Sequence, residues 1–179
     1  MTYWYNFFGV KNMTIRKLVT FPDDVLSRKA EIVEKFDKEL QVLVEDMIET
    51  MRDAPGVGLA APQIGISRQV AVIEFGDEED DSIPKQLYVL VNPEIIKQSD
   101  SKVNGIEGCL SVPGLAGNVA RSKVVTVSGF NQYGEKVKIR AQGWLARIFQ
   151  HEIDHLNGKL YLNRTDQIWQ PESDDMDSI

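Results

Sequence analysis

The sequence predicts one domain of mixed helix and strand, on three observations. Apolar residues recur at helical spacing over residues 37–54. Two β-rich runs, 123–130 and 135–141, flank Asn131-Gln132-Tyr133-Gly134, a hairpin signal. A second helix is predicted over 143–156, ending before Gly158. The length, 179 residues, suits one sizeable core.

The first helix carries Leu40, Leu43, Val44, Met47, Ile48 and Met51 on one face. Glu39, Glu45, Glu49 and Arg52 largely fill the other, and Pro55-Gly56 stops it. The next segment, Gly56-Val57-Gly58-Leu59-Ala60-Ala61-Pro62-Gln63-Ile64-Gly65, is too rich in glycine for an ordinary helix. Such a segment lets backbone approach another chain or a ligand closely. It has neither a Gly-Lys-Ser/Thr ending nor GxGxxG spacing, so it is no phosphate loop. Runs 69–75 and 87–91 read as strands, joined by a solvated acidic loop around 76–84. Residues 112–121 read as a loop, small and neutral until Arg121. Residues 1–12 are aromatic-rich, without acids and without clear periodicity. They read as an N-terminal extension ahead of Met13, where a natural start is expected. Residues 166–179 read as an acidic, flexible tail.

The chain has 20 basic and 27 acidic residues, a net charge of −7. No basic run marks a nucleic-acid surface. No apolar stretch approaches the roughly 18 residues of a membrane span, so no membrane partner is expected. The start lacks the charged and apolar regions of a signal peptide. The lone cysteine, Cys109, excludes an intramolecular disulfide and fits a reducing, cytoplasmic compartment. Taken alone, Cys109 reads as a small buried hydrophobe.

His151-Glu152-Ile153-Asp154-His155 changes that reading. It is an HExxH motif, and its histidines are the only two in the chain. Four residues advance a helix by about 400°, so the two imidazoles lie roughly 40° apart, one turn removed. They can hold one metal ion. Glu152 sits about 100° around from His151, placed to act as a base on water at that metal. The alternative is a pair of satisfied core histidines. A third ligand is needed. No histidine stands where a metzincin would have it, since Tyr161 occupies that position. The only later glutamate, Glu172, lies in the tail. Cys109 remains, in Glu107-Gly108-Cys109-Leu110-Ser111. One thiolate with two imidazoles suits Fe²⁺ or Zn²⁺. Three protein ligands leave a position for water, the mark of a catalytic site.

In these motifs the chain closely resembles peptide deformylase. The glycine-rich segment through Gln63, the Glu107–Ser111 stretch and Gln150-His151-Glu152-Ile153-Asp154-His155-Leu156-Asn157-Gly158 agree in order. The likeness covers residues 13–165, taken as the deformylase domain. It implies an α+β fold: antiparallel β-sheets packed around a central HExxH-bearing α-helix, with an N-terminal amphipathic helix. It implies Cys109, His151 and His155 as metal ligands and Glu152 as general base and acid. Gln63 and the Leu110 N–H are implied as stabilisers of the formyl oxygen. The substrate is implied as a nascent polypeptide beginning with N-formylmethionine, met at or near the ribosome, with formate as product. The metal is implied as Fe²⁺, with Zn²⁺ as the alternative.

An apolar pocket is expected for the methionine side chain, with Val57, Leu110, Trp144, Leu145 and Ile148 as candidates. Gly56 and Gly58 would let an extended peptide pair with the enzyme backbone. Arg147, on the same helix, is expected to point elsewhere. The 112–121 loop lacks a basic residue before Arg121, which puts substrate-backbone contacts there in doubt. The tail is acidic, so tail-mediated docking to nucleic acid is not expected. Two other functions compete. Against a metalloprotease, this chain offers no plausible third ligand of that kind, and Cys109 stands in its own motif. A non-catalytic binding module would be expected to lack a ligand or the base.

Overall fold

Helix α1 (Lys38–Asp53) begins where Asp37 caps it, its carboxylate accepting from the Leu40 N–H at 3.1 Å. The computed structural model describes residues 14–54, 56–76 and 84–171. The expected extension 1–12, the helix stop Pro55, most of the acidic loop and residues 172–179 lie outside the described residues. The apolar stripe of α1 is buried against Leu59, Ile64, Val70, Val72 and Val91. Asp46, on the buried side, accepts from the Thr14 N–H at 3.0 Å and pairs with Arg16 at 2.6 Å, tying the entering chain to the helix.

Eight strands follow among the described residues: β1 (Gly58–Ala60), β2 (Val70–Phe75), β3 (Gln86–Gln98), β4 (Lys102–Glu107), β5 (Ala116–Ser122), β6 (Val124–Phe130), β7 (Lys136–Gln142) and β8 (Ile168–Trp169). Helix α2 (Gly143–Leu156) lies between β7 and β8 in sequence. One sheet has the order β1-β2-β3-β6-β7, the other β4-β5-β8, and neighbouring strands are antiparallel. The fold is therefore α+β, with antiparallel sheets and two α-helices among the described residues. The predicted hairpin is β6–β7. Its turn is organised by the Asn131 side chain, whose Oδ1 accepts from the Tyr133 and Glu135 N–H groups, each at 3.0 Å. Ala146, Ile148, Phe149 and Ile153 of α2 pack against Ile73, Leu90, Val125 and Val127 of the larger sheet.

The structure departs from the sequence expectation in three segments. The strand expected to stop at Val91 runs on as β3 to Gln98. A register shift between Val91 and Glu94 absorbs Pro93, and Asn92 turns at φ 50°. The Asn92 amide makes this break specific: it accepts from the Val33 N–H and donates to the Val33 carbonyl, each at 2.9 Å. The expected loop 112–121 is a loop only in its first part, because Ala116–Ser122 forms β5 against β4. Its small side chains gave no apolar alternation to read. Within the segment expected as a tail, Ile168 and Trp169 pair with Gly117 and Ala116.

Gly158 closes α2 at φ +68°, and a Cβ there would lie 2.7 Å from the carbonyl carbon of Arg28 and 2.8 Å from that of Ser27. Gly158→Ala is therefore expected to cost at least about 2 kcal/mol of stability, from strain and the backbone clash together. Urea denaturation measures it. A change within about 0.5 kcal/mol would show that this close approach is not a constraint.

Candidate active site

The site is built where α2 meets the turn after β4. His151 and His155 lie one turn apart on α2, and Cys109 stands two residues past the end of β4. Cys109 Sγ is 3.2 Å from His155 Nε2, which is 3.2 Å from His151 Nε2. All three ligand atoms fall within 4.8 Å of one another. The donor set fits a divalent metal. One sulfur and two ring nitrogens converge on a single point, and the other nitrogen of His151 is already committed. His151 Nδ1 donates to the Glu107 carboxylate at 3.0 Å, which leaves Nε2 as the ring nitrogen turned toward the cysteine.

Glu107 is the hub behind His151. Its Oε1 accepts from Arg121 Nε and from Arg147 Nη1, each at 2.8 Å, and its Oε2 also accepts from Arg121 Nη2 at 2.8 Å. Arg121 extends the network to Asp154 on α2, and Asp154 also pairs with Arg164. Arg147 Nη1 and Nη2 donate further to the carbonyls of Val119 and Val103 at 2.8 and 2.7 Å. Burial alone would raise the Glu107 pKa. The guanidinium of Arg121 and the ring of His151 overcome it and hold the carboxyl well below the usual carboxylate range.

Glu152 has the opposite environment. It is 3% exposed, and its Oε2 has no hydrogen-bond partner. Burial pushes its pKa up to about 7, against the pull of His151, with the Glu107 charge adding to the rise and Arg121 opposing it. Room for this side chain is made by Gly58, where a Cβ would lie 2.4 Å from Glu152 Oε1. Gln63 is also buried, in the 3₁₀ turn Ala61–Ile64 that follows β1. Its Oε1 accepts from the Ala60 N–H at 2.8 Å, which turns the NH₂ group toward Cys109, 3.5 Å from Sγ.

A cleft of about 540 Å³ opens over these groups. Of the residues expected in a methionine pocket, Val57, Leu110, Trp144 and Ile148 line it, as does Gly58. Leu145 does not; it packs with Phe149 on the larger sheet, about 100° around the helix from Trp144. Glu107, Arg121 and Asp154 carry no role in the sequence expectation, and Arg147, expected to point elsewhere, instead lines the cleft and donates to Glu107. Two signals were present. Arg147 shares a helix stripe with His151, four residues on, and Arg121 interrupts a small neutral run.

A buried HExxH helix, a facing cysteine and a buried, unpartnered carboxylate beside a cleft have the make-up of a metal-dependent hydrolase site. The comparisons with known proteins narrow it. The sequence profile of the family Polypeptide deformylase matches residues 15–170. The peptide deformylase of Natranaerobius thermophilus is 46% identical over 160 residues, covering 89% of this chain and 98% of the relative. The crystal structure of a peptide deformylase from Legionella pneumophila superposes with a TM-score of 0.78 at 46% identity, covering 86% of this chain and 87% of that one. A class I type b peptide deformylase from Acinetobacter baumannii, solved with Met-Ala-Ser bound, superposes at 0.79 with 37% identity, covering 86% of this chain and 99% of that one. The chain belongs to the polypeptide deformylase family. Its reaction is that family's, removal of the formyl group from the N-terminal methionine of nascent peptides.

Arg121→Ala would leave Glu107 and Asp154 buried without their shared cation. The expected loss is about 3–5 kcal/mol in urea denaturation. Arg121→Lys should recover little, since an ammonium cannot reproduce the two-pronged contact. A loss below about 1 kcal/mol for the alanine variant would show that the network does not hold the site together.

Proposed function

We propose that Cys109, His151 and His155 hold the working metal and that Glu152 moves the proton. The convergence of the three ligand atoms within 4.8 Å, beside a buried and unpartnered carboxylate, carries this reading. A divalent metal, when bound, supplies the electron withdrawal that makes water a nucleophile at neutral pH. Glu152 accepts a proton from the water that attacks the formyl carbon and delivers it to the departing amine. Its elevated pKa, about 7, suits both halves of that task. Gln63 is aimed by Ala60, and its amide N–H donates to the formyl oxygen as charge builds there. The backbone N–H of Leu110 is the second donor. Donors fixed beforehand are the most effective kind, and losing one typically costs about 10²–10³ in rate.

The formylmethionine side chain lies against Val57, Leu110, Trp144 and Ile148, and the peptide runs past Gly58. The Met-Ala-Ser bound to the Acinetobacter relative has the chemistry of a deformylated product. The HExxH helix serves as the central element on which the sheets converge, with α1 as the N-terminal amphipathic helix, in a catalytic domain spanning 13–165. The working compartment is the cytoplasm, where nascent formylated chains are met near the ribosome. The acidic C-terminal segment takes no part in docking to nucleic acid.

The metal-loaded chain should release formate from formyl-Met-Ala-Ser and none from N-acetyl-Met-Ala-Ser or from an internal peptide bond. Cleavage of internal bonds would point to a protease instead. Glu152→Ala should retain its metal by elemental analysis while turnover falls by about 10³ or more. Substantial turnover in that variant would remove Glu152 from the mechanism.

Fe²⁺ is proposed as the working metal and Zn²⁺ as the alternative, because thiolate with imidazole accepts both. Aerobic purification should lose activity that nickel or cobalt restores. Full activity that stays stable in air with zinc would overturn iron.

A further inference from the structure

The outward face of the β6–β7 hairpin carries a row of cations that no basic run in the sequence announces. Strand alternation puts Lys136, Lys138 and Arg140 of β7 on one side. Val137, Ile139 and Ala141 take the other side and join the core that holds α2. Successive cations of the row stand about 7 Å apart. A fourth, Lys97 of β3, lies across Thr126 of β6 from Arg140, roughly 10 Å away. All four are exposed. Among the described residues, none of them forms an ion pair or a side-chain hydrogen bond. The one acid in the same paired rows is Glu94, across Ser128 from Lys138. Glu135, next to Lys136, is held by the Asn131 amide at 2.6 Å.

Acids outnumber bases by 27 to 20 in this chain, so composition does not force unpartnered cations to stand side by side. Lysines on an edge strand do guard against pairing with other sheets, and β7 ends the larger sheet. That role does not cover Lys97, which lies two strands in from the edge. Nor does it account for Tyr133. This side chain stands at the tip of the hairpin, 68% exposed, on a turn fixed by Asn131. A regular row of cations beside a free aromatic ring matches what an unpaired nucleic-acid strand needs: the cations follow its phosphates and the ring stacks on a base. The lane between the two sets of cations carries the hydroxyls of Thr126 and Ser128, not the apolar surface that an interfacial membrane site buries.

We infer that the outward face of the β6–β7 hairpin docks an unpaired RNA strand, with Lys97, Lys136, Lys138 and Arg140 on its phosphates and Tyr133 on a base. RNA is chosen over DNA because the proposed substrate is a nascent chain, and in that choice the inference rests on the deformylase reading. Docking here reads no base sequence and uses neither the metal ligands nor the cleft.

The test is fluorescence anisotropy of a labelled oligouridine of about 12 nucleotides with the full chain, from about 50 to 200 mM salt. Binding should weaken with salt at a slope of about −2 to −3 in log K against log salt, as three to four phosphate contacts require. Lys138→Gln should make that slope shallower by about 0.7. Tyr133→Ala should weaken binding about fivefold or more at fixed salt, and Tyr133→Phe should restore it. Hydrolysis of formyl-Met-Ala-Ser should be unchanged in all three variants, because none of these side chains belongs to the cleft. No binding by the unsubstituted chain at about 50 mM salt would overturn the surface. So would undiminished binding in both Lys138→Gln and Tyr133→Ala. Tighter binding of the matching oligodeoxyuridine, or of phosphatidylserine vesicles, would overturn RNA as the occupant. Anisotropy needs no turnover, so a failure of the deformylase reading shows separately, as absence of formate release.

Discussion

The carboxylate of Glu107 is the joint on which the rest of the site depends. It is the last residue of β4, and it accepts hydrogen bonds from Arg121 on β5 and from Arg147 and His151 on α2. One side chain thus locks the β4–β5 hairpin to the helix. A carboxylate offers about four lone-pair positions, and four contacts at 2.8–3.0 Å use them all. Burying such a charge is tolerable only in that saturated state. The same bonds decide chemistry. They fix the orientation of the His151 ring, and they anchor the strand end from which the turn to Cys109 starts.

Against this satisfied network, the unpaired buried atoms stand out. Among the described residues these are Glu152 Oε2, His155 Nδ1 and Ser111 Oγ. Two belong to the HExxH motif and the third lies two residues past Cys109. The rest of α2 shows how such atoms are ordinarily treated: Gln150 is buried and bonded at both ends, to Ser122 and Ala146. An orphaned carboxylate is costly in a fold that satisfies its neighbours so fully. It fits the proton-transfer role proposed for Glu152, in which the missing partner arrives with the reaction. Gly58 belongs to the same arrangement, since any side chain there would occupy the space of Glu152.

Legibility in the sequence followed physical signal. Helices α1 and α2 and the β6–β7 hairpin were readable because each buries one face and so imposes a period on its apolar residues. The HExxH histidines were readable because helical spacing alone brings them together. The approach of Cys109 to them was readable only by elimination of other candidates. What stayed hidden was held by polar contacts or by small residues. Strand β5, with Ala116, Gly117 and Ala120, has no apolar alternation; its register comes from Arg121 meeting Glu107 and from Gly117 passing Tyr161. Strand β3 crosses Asn92-Pro93 because of a side-chain bond to Val33, distant in sequence. Leu145 was misplaced by one position on a helix that is apolar over a wide arc.

The proposed ligands are divided between two elements. His151 and His155 are held rigidly on a packed helix, whereas Cys109 comes from a turn whose position is set by the hairpin. The three converge only while the hairpin and helix stay docked. Around Glu107 that docking is made by oriented ionic bonds. Apolar contact tolerates sliding, but a carboxylate gripped by two guanidinium groups and an imidazole accepts one arrangement. A metal bound by both elements would reinforce the same arrangement, since ligands from the helix and the turn must reach it together. Site geometry and hairpin docking are thus a single constraint, expressed once through Glu107 and once through the ligand set.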